Sequence, residues 1–486
     1  MFIIAASAFL PAGCGGPLRF PVQSLPAAAA AEGAARAFDT NKDGKADFFI
    51  YAREDGRFDR IRYDHHGYGA ADEIVKLDAI PFKQCRHLVI IVDGFGYDLV
   101  KKHYDAGNLR FFHPPSRVVA PYPVMTDMAV EDILGYMPCP AYEAMYYDRR
   151  RGKIVGGSLA YLAGKNEPYN RLINYRAGLN SVPYFYLMPR TVFPNELSAL
   201  KRVWDKGQTQ EVLAYFGSTA GMGTRYGAAG QIECLEAFER LMNQIVFETH
   251  GMTKITLLAD HGHGYEPVTR IDFSKPLAEK GWRLTKSIKR PKDVAMVEFG
   301  LTTYASFYTP QKAELAKDLA AIEGVTLASY AEKDTVVVLA PRNARAIVRE
   351  KAGRYSYEAA SGDPLQLKTI LAKLKADANG YYDADELLQA TDTHIYPAPL
   401  QRIYRAHFGL VENPADVLVS LEDRFCVGSK LFATFVKAAS THGSLNYKSS
   451  VAFIMSTTGP LPPLMRSADV PEEMRRLLGA PWPMGK

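Results

Sequence analysis

Carboxylate and imidazole side chains directly follow two apolar runs of the chain. Asp93 comes after the run HLVIIV at 87–92. Asp260 and His261 come after the run ITLLA at 255–259. A carboxylate beside an imidazole suits a divalent ion of the zinc type. Apolar strands seldom end in such residues without a functional reason, so we predict that these three side chains bind a metal.

Thr126 and His442 are two further candidates for the same site. Thr126 stands at the predicted start of a short helix that runs toward Leu134, where the helix dipole favours negative charge. A hydroxyl in that position, close to a bound cation, suits a nucleophile toward phosphorus. The alternative is that Thr126 is a simple N-cap. His442 precedes the apolar run at 451–455, and Gly443 after it permits a close approach of the backbone.

Short apolar runs alternate with helical stretches from about residue 81 onward. This pattern predicts an α/β fold with a mostly parallel central sheet and helices on both faces. Ligands bind beyond the carboxyl ends of strands in such a sheet, so the candidate residues are expected to converge there. A helical stripe of apolar residues predicts a helix over 232–247. The predicted strands are 87–92, 212–216, 255–259, 335–339 and 451–455.

The change of pattern along the chain predicts five parts. They are a lipoprotein-type signal over 1–14, an Ala/Pro-rich tether over 15–37, a β-rich segment with a calcium-like loop over 38–80, an α/β domain over 81–465 with an inserted α+β subdomain within about 265–440, and a C-terminal tail over 466–486.

The N-terminus has the features of an export signal. Residues 1–12 are apolar or small, and the sequence Ala12-Gly13-Cys14 resembles a bacterial lipobox, although Pro11 replaces the usual aliphatic residue. We therefore predict lipidation of Cys14 and a membrane-anchored protein of the periplasm or cell envelope. The alternative is a weakly apolar N-terminus without a signal role.

The other four cysteines lack the spacing of a disulfide scaffold or of a thiolate zinc site. Disulfides and buried free thiols both remain open for them. They are Cys85, Cys139, Cys234 and Cys426.

An acidic loop near the N-terminus has the spacing of a calcium loop, with oxygen side chains at positions 1, 3, 5 and 9 and Gly at position 6. The alternating flanks favour a β-hairpin over an EF-hand. A second copy over 64–72 has lost the acidic residues at its positions 3 and 5. A pair of polar turns is an equal alternative. The candidate calcium ligands are Asp39, Asn41, Asp43, Lys45 and Asp47.

The composition is that of a globular protein without a nucleic-acid-binding surface. The chain has 486 residues, of which 47% are hydrophobic, and a formal charge of +5. The basic residues are dispersed rather than gathered in a stripe that would follow a phosphate backbone.

The ordered set of Asp93, Thr126, Asp260, His261 and His442 resembles the alkaline phosphatase superfamily, and most closely its nucleotide pyrophosphatase and phosphodiesterase branch. The resemblance covers about 81–463. It implies a two-metal site, usually zinc, in which a Thr or Ser attacks phosphorus and a covalent phospho-enzyme forms. Carried over by position, the first four residues would hold one metal, with Thr126 as the nucleophile. His442 would serve the second metal.

The second metal in that branch also needs an aspartate and a histidine four residues apart, in a turn after the second strand. Here Ala220 and Thr224 occupy those places, and a register shifted by two gives Ser218 and Met222. We therefore expect one zinc site and a doubtful second one. His263 and Asp127 are alternative ligands, but we interpret the former as a solvent-exposed neighbour of the site and the latter as a helix N-terminal charge.

The predicted function is a metal-dependent hydrolase of phosphate esters, of phosphodiesterase or phosphatase type, that acts on a small phosphorylated substrate. One alternative is a catalytically inactive, membrane-anchored binding protein that keeps the fold. A second alternative is a sulfatase-like hydrolase, but the Cys/Ser-x-Pro-x-Arg segment that generates a sulfatase nucleophile is absent around Thr126.

Overall fold

The structure is a computed structural model that describes residues 19–25, 33–68, 72–136, 138–157, 167–178, 181–298, 300–436 and 440–485. Cys14 and the rest of the signal-like segment lie outside these residues, so lipidation stays a prediction. In the described part of the chain, no helix combines the length and the apolar character needed to cross a bilayer.

The strands form five sheets. They are β1 (Arg36–Phe38), β2 (Phe48–Ala52), β3 (Phe58–Tyr63), β4 (Glu73–Lys76), β5 (Arg86–Val92), β6 (Ser116–Val119), β7 (Met145–Asp148), β8 (Lys153–Gly156), β9 (Tyr175–Arg176), β10 (Glu211–Phe216), β11 (Thr253–Ala259), β12 (Thr269–Arg270), β13 (Arg283–Leu284), β14 (Asp293–Val297), β15 (Tyr304–Tyr308), β16 (Val325–Glu332), β17 (Thr335–Ala340), β18 (Ala344–Lys351), β19 (Arg354–Ser361), β20 (Val417–Leu421), β21 (Phe425–Cys426), β22 (Val451–Ser456) and β23 (Leu464–Arg466).

The helices lie between these strands. The α-helices are Tyr97–Asp105, Thr126–Leu134, Val182–Leu187, Pro189–Asp205, Ser218–Glu248, Ser274–Glu279, Lys312–Ala320, Lys368–Leu371, Ala384–Ala390, Pro399–His407, Lys430–Phe435, Tyr447–Ser450 and Val470–Leu478. Short 3-10 helices are Leu77–Ala79, Phe82–Gln84, Pro168–Leu172 and Ser467–Asp469.

The central sheet has the strand order β23-β6-β22-β11-β5-β10-β9. All its neighbouring strands are parallel except that β22 is antiparallel to both β11 and β6. Residues 87–92 of β5 are fully buried. Because successive side chains of a strand point to opposite faces, this sheet is covered on both faces. The predicted α/β class and the mostly parallel sheet are confirmed.

A long helix follows β10 directly, and it corrects one sequence-based expectation. The segment 217–227, expected to be a turn, is helical from Ser218 and continues to Glu248, with a break at Gly227, where φ is +60°. The helix predicted over 232–247 is the second part of this element. The turn was expected from the resemblance, but tertiary packing against the helix Val182–Leu187 favours the helical conformation despite the four glycines of the segment.

Two further sheets come from other parts of the chain, one that precedes the central sheet and one that is inserted between its strands β11 and β22. The strands β1 to β4 form an antiparallel sheet, and β1 pairs with β2 across the acidic loop at 39–47, so the predicted hairpin is present. The strands β13 to β20 form an eight-stranded sheet inside the interval predicted to hold an inserted α+β subdomain.

The four described cysteines are buried free thiols, which resolves the alternative left open by the sequence. They are Cys85, Cys139, Cys234 and Cys426.

Candidate active site

Three predicted metal ligands meet at the carboxyl edge of the central sheet. The register pairs Val92 of β5 with Phe216 of β10 and with Ala259 of β11, so the residues that follow these strands lie at one level. Asp93, Asp260 and His261 are buried, and each offers a ligand atom within 4.8 Å of the others. We call these three residues the Asp-Asp-His cluster.

Hydrogen bonds fix the imidazole of His261 with its lone pair toward the two carboxylates. Its Nδ1 lies 2.9 Å from the carbonyl oxygen of Gly262, which can only accept, so Nδ1 carries the proton. The unprotonated Nε2 lies 3.5 Å from Oδ1 of Asp93 and 3.5 Å from Oδ2 of Asp260. Those two carboxylate oxygens are buried and have no hydrogen-bond donor among the described residues.

Burial makes this arrangement unfavourable unless a cation joins it. Burial and the neighbouring Asp260 raise the pKa of Asp93 well above its ordinary value, and burial raises the pKa of Asp260 to about 6. Burial also lowers the pKa of His261 to about 4, so its imidazole is neutral at pH 7. Two buried carboxylates facing a neutral imidazole lone pair match the donor set of a divalent ion. The Asp-Asp-His cluster therefore fits a metal.

Thr126 stands at the first position of the helix Thr126–Leu134, as predicted. Met125 is the N-cap, so the interpretation of Thr126 as a simple N-cap is wrong. The Thr126 Oγ lies 3.4 Å from Nε2 of His261 and lines a cavity. The hydroxyl is thus free of a capping role and lies beside the Asp-Asp-His cluster.

His442 reaches the same place because β22 is antiparallel. The start of β22 lies at the edge where β5 and β11 end, so a residue ahead of β22 lies beside residues that follow the other strands. The ring of His442 stacks on that of His261 with a centroid distance of 3.9 Å. Its Nδ1 lies 2.9 Å from the carbonyl oxygen of Val124, which leaves Nε2 unprotonated. Burial and the neighbouring His261 lower the pKa of His442 to about 3.

The residues at the expected second metal site lie on the long helix after β10. Thr224 lines the same cavity as His442, whereas Ala220 is buried and contributes no ligand atom. In the alternative register, Met222 lines a separate cavity and Ser218 is buried. Neither pair supplies a carboxylate or an imidazole.

His263 is fully buried, so its interpretation as a solvent-exposed neighbour of the site is wrong. The ring is buried because it lies between two glycines, Gly94 and Gly223. A Cβ at Gly94 would lie 3.2 Å from Nδ1 of His263, and a Cβ at Gly223 would lie 3.2 Å from Nε2. Only residues without a side chain admit the ring this closely. Neither ring nitrogen has a hydrogen-bond partner in the described part of the chain.

Tyr215 contacts the Asp-Asp-His cluster, and sequence reasoning missed it. Its hydroxyl donates a hydrogen bond of 2.6 Å to Oδ2 of Asp93, the oxygen that does not face His261. The available signal was a phenol near the end of the apolar strand β10, next to the predicted ligand-binding edge. This donor fixes the orientation of the carboxylate and leaves Oδ1 free for a metal.

We expect the substitution Tyr215→Phe to weaken zinc binding by about ten- to a hundredfold, because Asp93 would lose the donor that orients it. The measurement is competition with a chromogenic chelator. Tyr169→Phe is a matched control, since the Tyr169 hydroxyl donates to Asp127 rather than to the cluster. Equal zinc affinities for the wild type and Tyr215→Phe would contradict the positioning role.

A cavity of about 660 Å³ opens in front of the Asp-Asp-His cluster. Asp93, Thr126 and His442 line one part of it, and a mixture of aromatic, aliphatic and charged side chains lines the rest. This volume exceeds that of a phosphate group and leaves room for an ester substituent. The arrangement of a hydroxyl, a candidate metal cluster and a cavity suits transfer of a group from a bound ester.

The candidate calcium loop lies apart from this site. The carboxylate of Asp39 accepts hydrogen bonds from the backbone of Lys42, Asp43 and Gly44, and Asp47 accepts from Thr40. These contacts are those of a polar turn, and the calcium assignment stays a prediction.

No protein-family model matches the chain, and no curated protein matches it. Similar solved structures include the phosphonoacetate hydrolase from Sinorhizobium meliloti. Its complex with phosphonoformate has a TM-score of 0.43 at 13% identity and covers 83% of this chain and 96% of that one. Its complex with phosphonoacetate has a TM-score of 0.42 at 11% identity over the same shares. A murine ectonucleotide pyrophosphatase/phosphodiesterase 5 has a TM-score of 0.41 at 10% identity and covers 81% of this chain and 95% of that one.

Proposed function

We propose that the protein is a metal-dependent hydrolase of phosphate esters that uses Thr126 as its nucleophile. The observation that carries the proposal is the hydroxyl of Thr126 beside two buried carboxylate oxygens without donors and an unprotonated imidazole nitrogen. These groups meet at the end of a cavity that is large enough for an ester.

Asp93, Asp260, His261 and the Thr126 hydroxyl would hold the metal, and the mixture of carboxylate and imidazole favours zinc. When bound, a divalent ion supplies Lewis-acid stabilisation of negative charge at the reacting oxygens. Hydrogen bonds from the backbone of Gly94 and His261 hold Oδ1 of Asp260, so its Oδ2 stays directed at the other ligands.

The first turn of the helix Thr126–Leu134 supplies donors for a phosphoryl group. The first hydrogen bond to the residue before the helix comes from the backbone N–H of Ala129. The N–H groups of Thr126, Asp127 and Met128 precede it and have no acceptor within the helix. A helix N-terminus with free N–H groups favours a phosphate oxygen. The nucleophile and these donors therefore belong to the same turn.

In the proposed reaction, the Thr126 Oγ attacks phosphorus and the bond from phosphorus to the leaving oxygen breaks. The Thr126 hydroxyl gives up its proton in this step, and the leaving oxygen gains a proton in exchange and departs as an alcohol. Water then attacks the phosphorylated Thr126, which releases the phosphate product and restores the hydroxyl. The neutral imidazoles of His261 and His442 keep positive charge off the ligand nitrogens at pH 7.

We propose one firmly held metal rather than two. His442 is a single imidazole, and Ala220 and Thr224 add no ligand of the kind that zinc prefers. The same observation favours the second candidate function, a catalytically inactive binding protein that retains the fold.

The export signal, the lipid anchor at Cys14 and a calcium ion in the loop 39–47 are proposals that rest on sequence patterns.

The metal content of the purified, tag-free protein lacking residues 1–14 tests the proposal. We expect about one zinc per chain by inductively coupled plasma mass spectrometry, together with turnover of bis-p-nitrophenyl phosphate or p-nitrophenyl phosphate. Two zinc ions would mean that other residues complete a second site. The absence of both zinc and turnover would favour the binding protein.

A further inference from the structure

The short helix Val182–Leu187 presents large apolar side chains to solvent. Tyr184, Leu187 and Met188 are 41%, 41% and 49% exposed. Because residues three and four apart lie on one face of a helix, these three side chains form one outward row, which we call the apolar stripe. The N–H of Met188 donates to the carbonyl oxygen of Tyr184, so Met188 closes the last helical turn.

The other side of this short helix is packed tightly, so the apolar stripe is held outward. A Cβ at Gly221 of the long helix would overlap the carbonyl oxygen of Phe185, and only glycine permits this approach. Arg225 of the long helix donates hydrogen bonds to the carbonyl oxygens of Tyr186 and Leu187, at 3.1 and 3.2 Å. Large apolar side chains that a fixed helix exposes together indicate contact with a partner.

The apolar stripe adjoins the mouth of the cavity in front of the Asp-Asp-His cluster. Pro183, Phe185, Tyr186 and Leu187 line that cavity. Leu187 is therefore both a part of the cavity wall and a member of the stripe. A surface that covers the stripe would lie beside the opening of the cavity.

The groups around the apolar stripe favour a lipid surface with anionic headgroups. The Arg225 guanidinium bonds to carbonyl oxygens, and no carboxylate in the described part of the chain forms an ion pair with it. Arg190, two residues after Met188, is 53% exposed in its side chain, although Glu233 pairs with it. Tyrosine rings and cationic side chains beside apolar residues are typical of segments that bind a membrane surface.

The start of the described chain lies on the same flank of the molecule. Arg240 donates a hydrogen bond of 2.7 Å to the carbonyl oxygen of Phe20. Arg240 and Arg190 both line the separate cavity that Met222 lines. Cys14 lies six residues before Phe20, which is about 20 Å even for an extended chain. A lipid at Cys14, which the sequence predicts, would hold this flank close to a membrane.

We propose that the apolar stripe docks on a lipid surface with anionic headgroups, so that the cavity opens toward this surface. The inference concerns the orientation of the protein and does not depend on the proposed hydrolysis. It gives the predicted lipid anchor and the exposed residues at the cavity mouth one common orientation. The competing occupant of the stripe is a second copy of the chain.

The test uses an introduced tryptophan as a reporter in the full chain. The three native tryptophans, Trp204, Trp282 and Trp482, are buried and therefore shielded from lipid. Tyr184→Trp adds an exposed one, and vesicles of phosphatidylglycerol and brominated phosphatidylcholine quench a tryptophan that reaches the acyl chains. Because an interfacial segment enters the headgroup and acyl boundary by about 5–10 Å, we expect the added emission to fall by about half relative to vesicles without bromine.

Ile395→Trp is the matched control. Ile395 is 46% exposed, but it lies on another side of the protein. Nearby Asp392 pairs with Arg117 of β6, and four strands of the central sheet separate β6 from β9, at the edge next to β10 and the long helix. The tryptophan introduced by Ile395→Trp should keep its emission. Equal quenching of Tyr184→Trp and Ile395→Trp, or quenching of neither, would overturn the inference.

Polar replacements test the stripe itself. In the Tyr184→Trp protein, Leu187→Asn together with Met188→Asn should remove most of the quenching, because amide groups resist transfer into an apolar environment. Both positions are exposed, so the buried native tryptophans should keep their emission, which checks the fold. Quenching that persists in this variant would overturn the role of the stripe. Emission of Tyr184→Trp that changes with protein concentration but not with brominated lipid would assign the stripe to a second copy and overturn the lipid surface.

Discussion

Replacement of Thr126 by alanine is expected to reduce hydrolysis of bis-p-nitrophenyl phosphate by roughly a thousandfold or more, because among the described residues only the Thr126 hydroxyl lies within hydrogen-bonding distance of His261 Nε2. The side chain does not cap its helix, and alanine is a good residue for a helix interior. We therefore expect the thermal unfolding midpoint to change little. Initial rates with saturating zinc are the measurement.

Thr126→Ser is the matched control for this loss. It retains a hydroxyl at the first helical position, so its rate is expected to stay within about tenfold of the wild type. A wild-type rate for Thr126→Ala would exclude Thr126 as the nucleophile. Loss of activity in both variants would instead indicate that the threonine methyl group is needed to position the hydroxyl.

Removal of the Asp260 charge is expected to abolish the stabilisation of the folded state by zinc. In the wild type, zinc at about a thousand times its dissociation constant should stabilise the folded state by about 4 kcal/mol and raise the unfolding midpoint by about 5 °C. Asp260→Asn should abolish this rise, because the oxygen that faces Nε2 of His261 becomes an amide group or loses its charge. Differential scanning fluorimetry with and without zinc is the measurement.

Without zinc, the wild type should lose its stability advantage over Asp260→Asn. Burial raises the pKa of Asp260 to about 6 in the folded state, above its ordinary value of about 3.9 in an unfolded chain. At Asp260 the folded state then binds more protons between these values, so the stability of the metal-free wild type relative to metal-free Asp260→Asn should rise as the pH falls from 7 toward 4. Metal-free Asp260→Asn lacks this gain and should be at least as stable as the wild type at pH 7.

Asp293→Asn is the control for both effects. Asp293 is buried in the eight-stranded sheet, pairs with Arg283 at 2.7 Å and belongs neither to the Asp-Asp-His cluster nor to the cavity lining. The substitution of Asp293 is expected to lower the free energy of unfolding but to keep the zinc-dependent rise of the unfolding midpoint. A zinc-dependent rise of equal size in Asp260→Asn would show that the ion binds elsewhere.

The sequence was sufficient for the strands that carry the site. Buried parallel strands are mostly apolar on both faces, so β5, β10 and β11 appear as largely apolar runs. Polar residues become possible where such a strand leaves the sheet, and this change identifies Asp93, Asp260 and His261. The start of the helix at Thr126 was predicted for a similarly local reason.

The rest of the site comes from segments that are distant in sequence. Tyr215 and His442 are held at the cluster by partners that no local pattern reveals, namely Asp93 and the carbonyl oxygen of Val124. The burial of His263 depends on two glycines from other segments, so its neighbours in the sequence gave no indication of it.

The sequence by itself therefore determined the fold class, the edge of the sheet at which chemistry is expected and the residues that meet there from the strand ends. Only the tertiary structure decided the antiparallel direction of β22, the helical state of the segment after β10 and the shape and charge of the cavity. The physical reason is that hydrophobic periodicity and strand ends are local properties of the chain. Strand direction, ring burial and unpaired charge are sums over contacts between segments far apart in sequence.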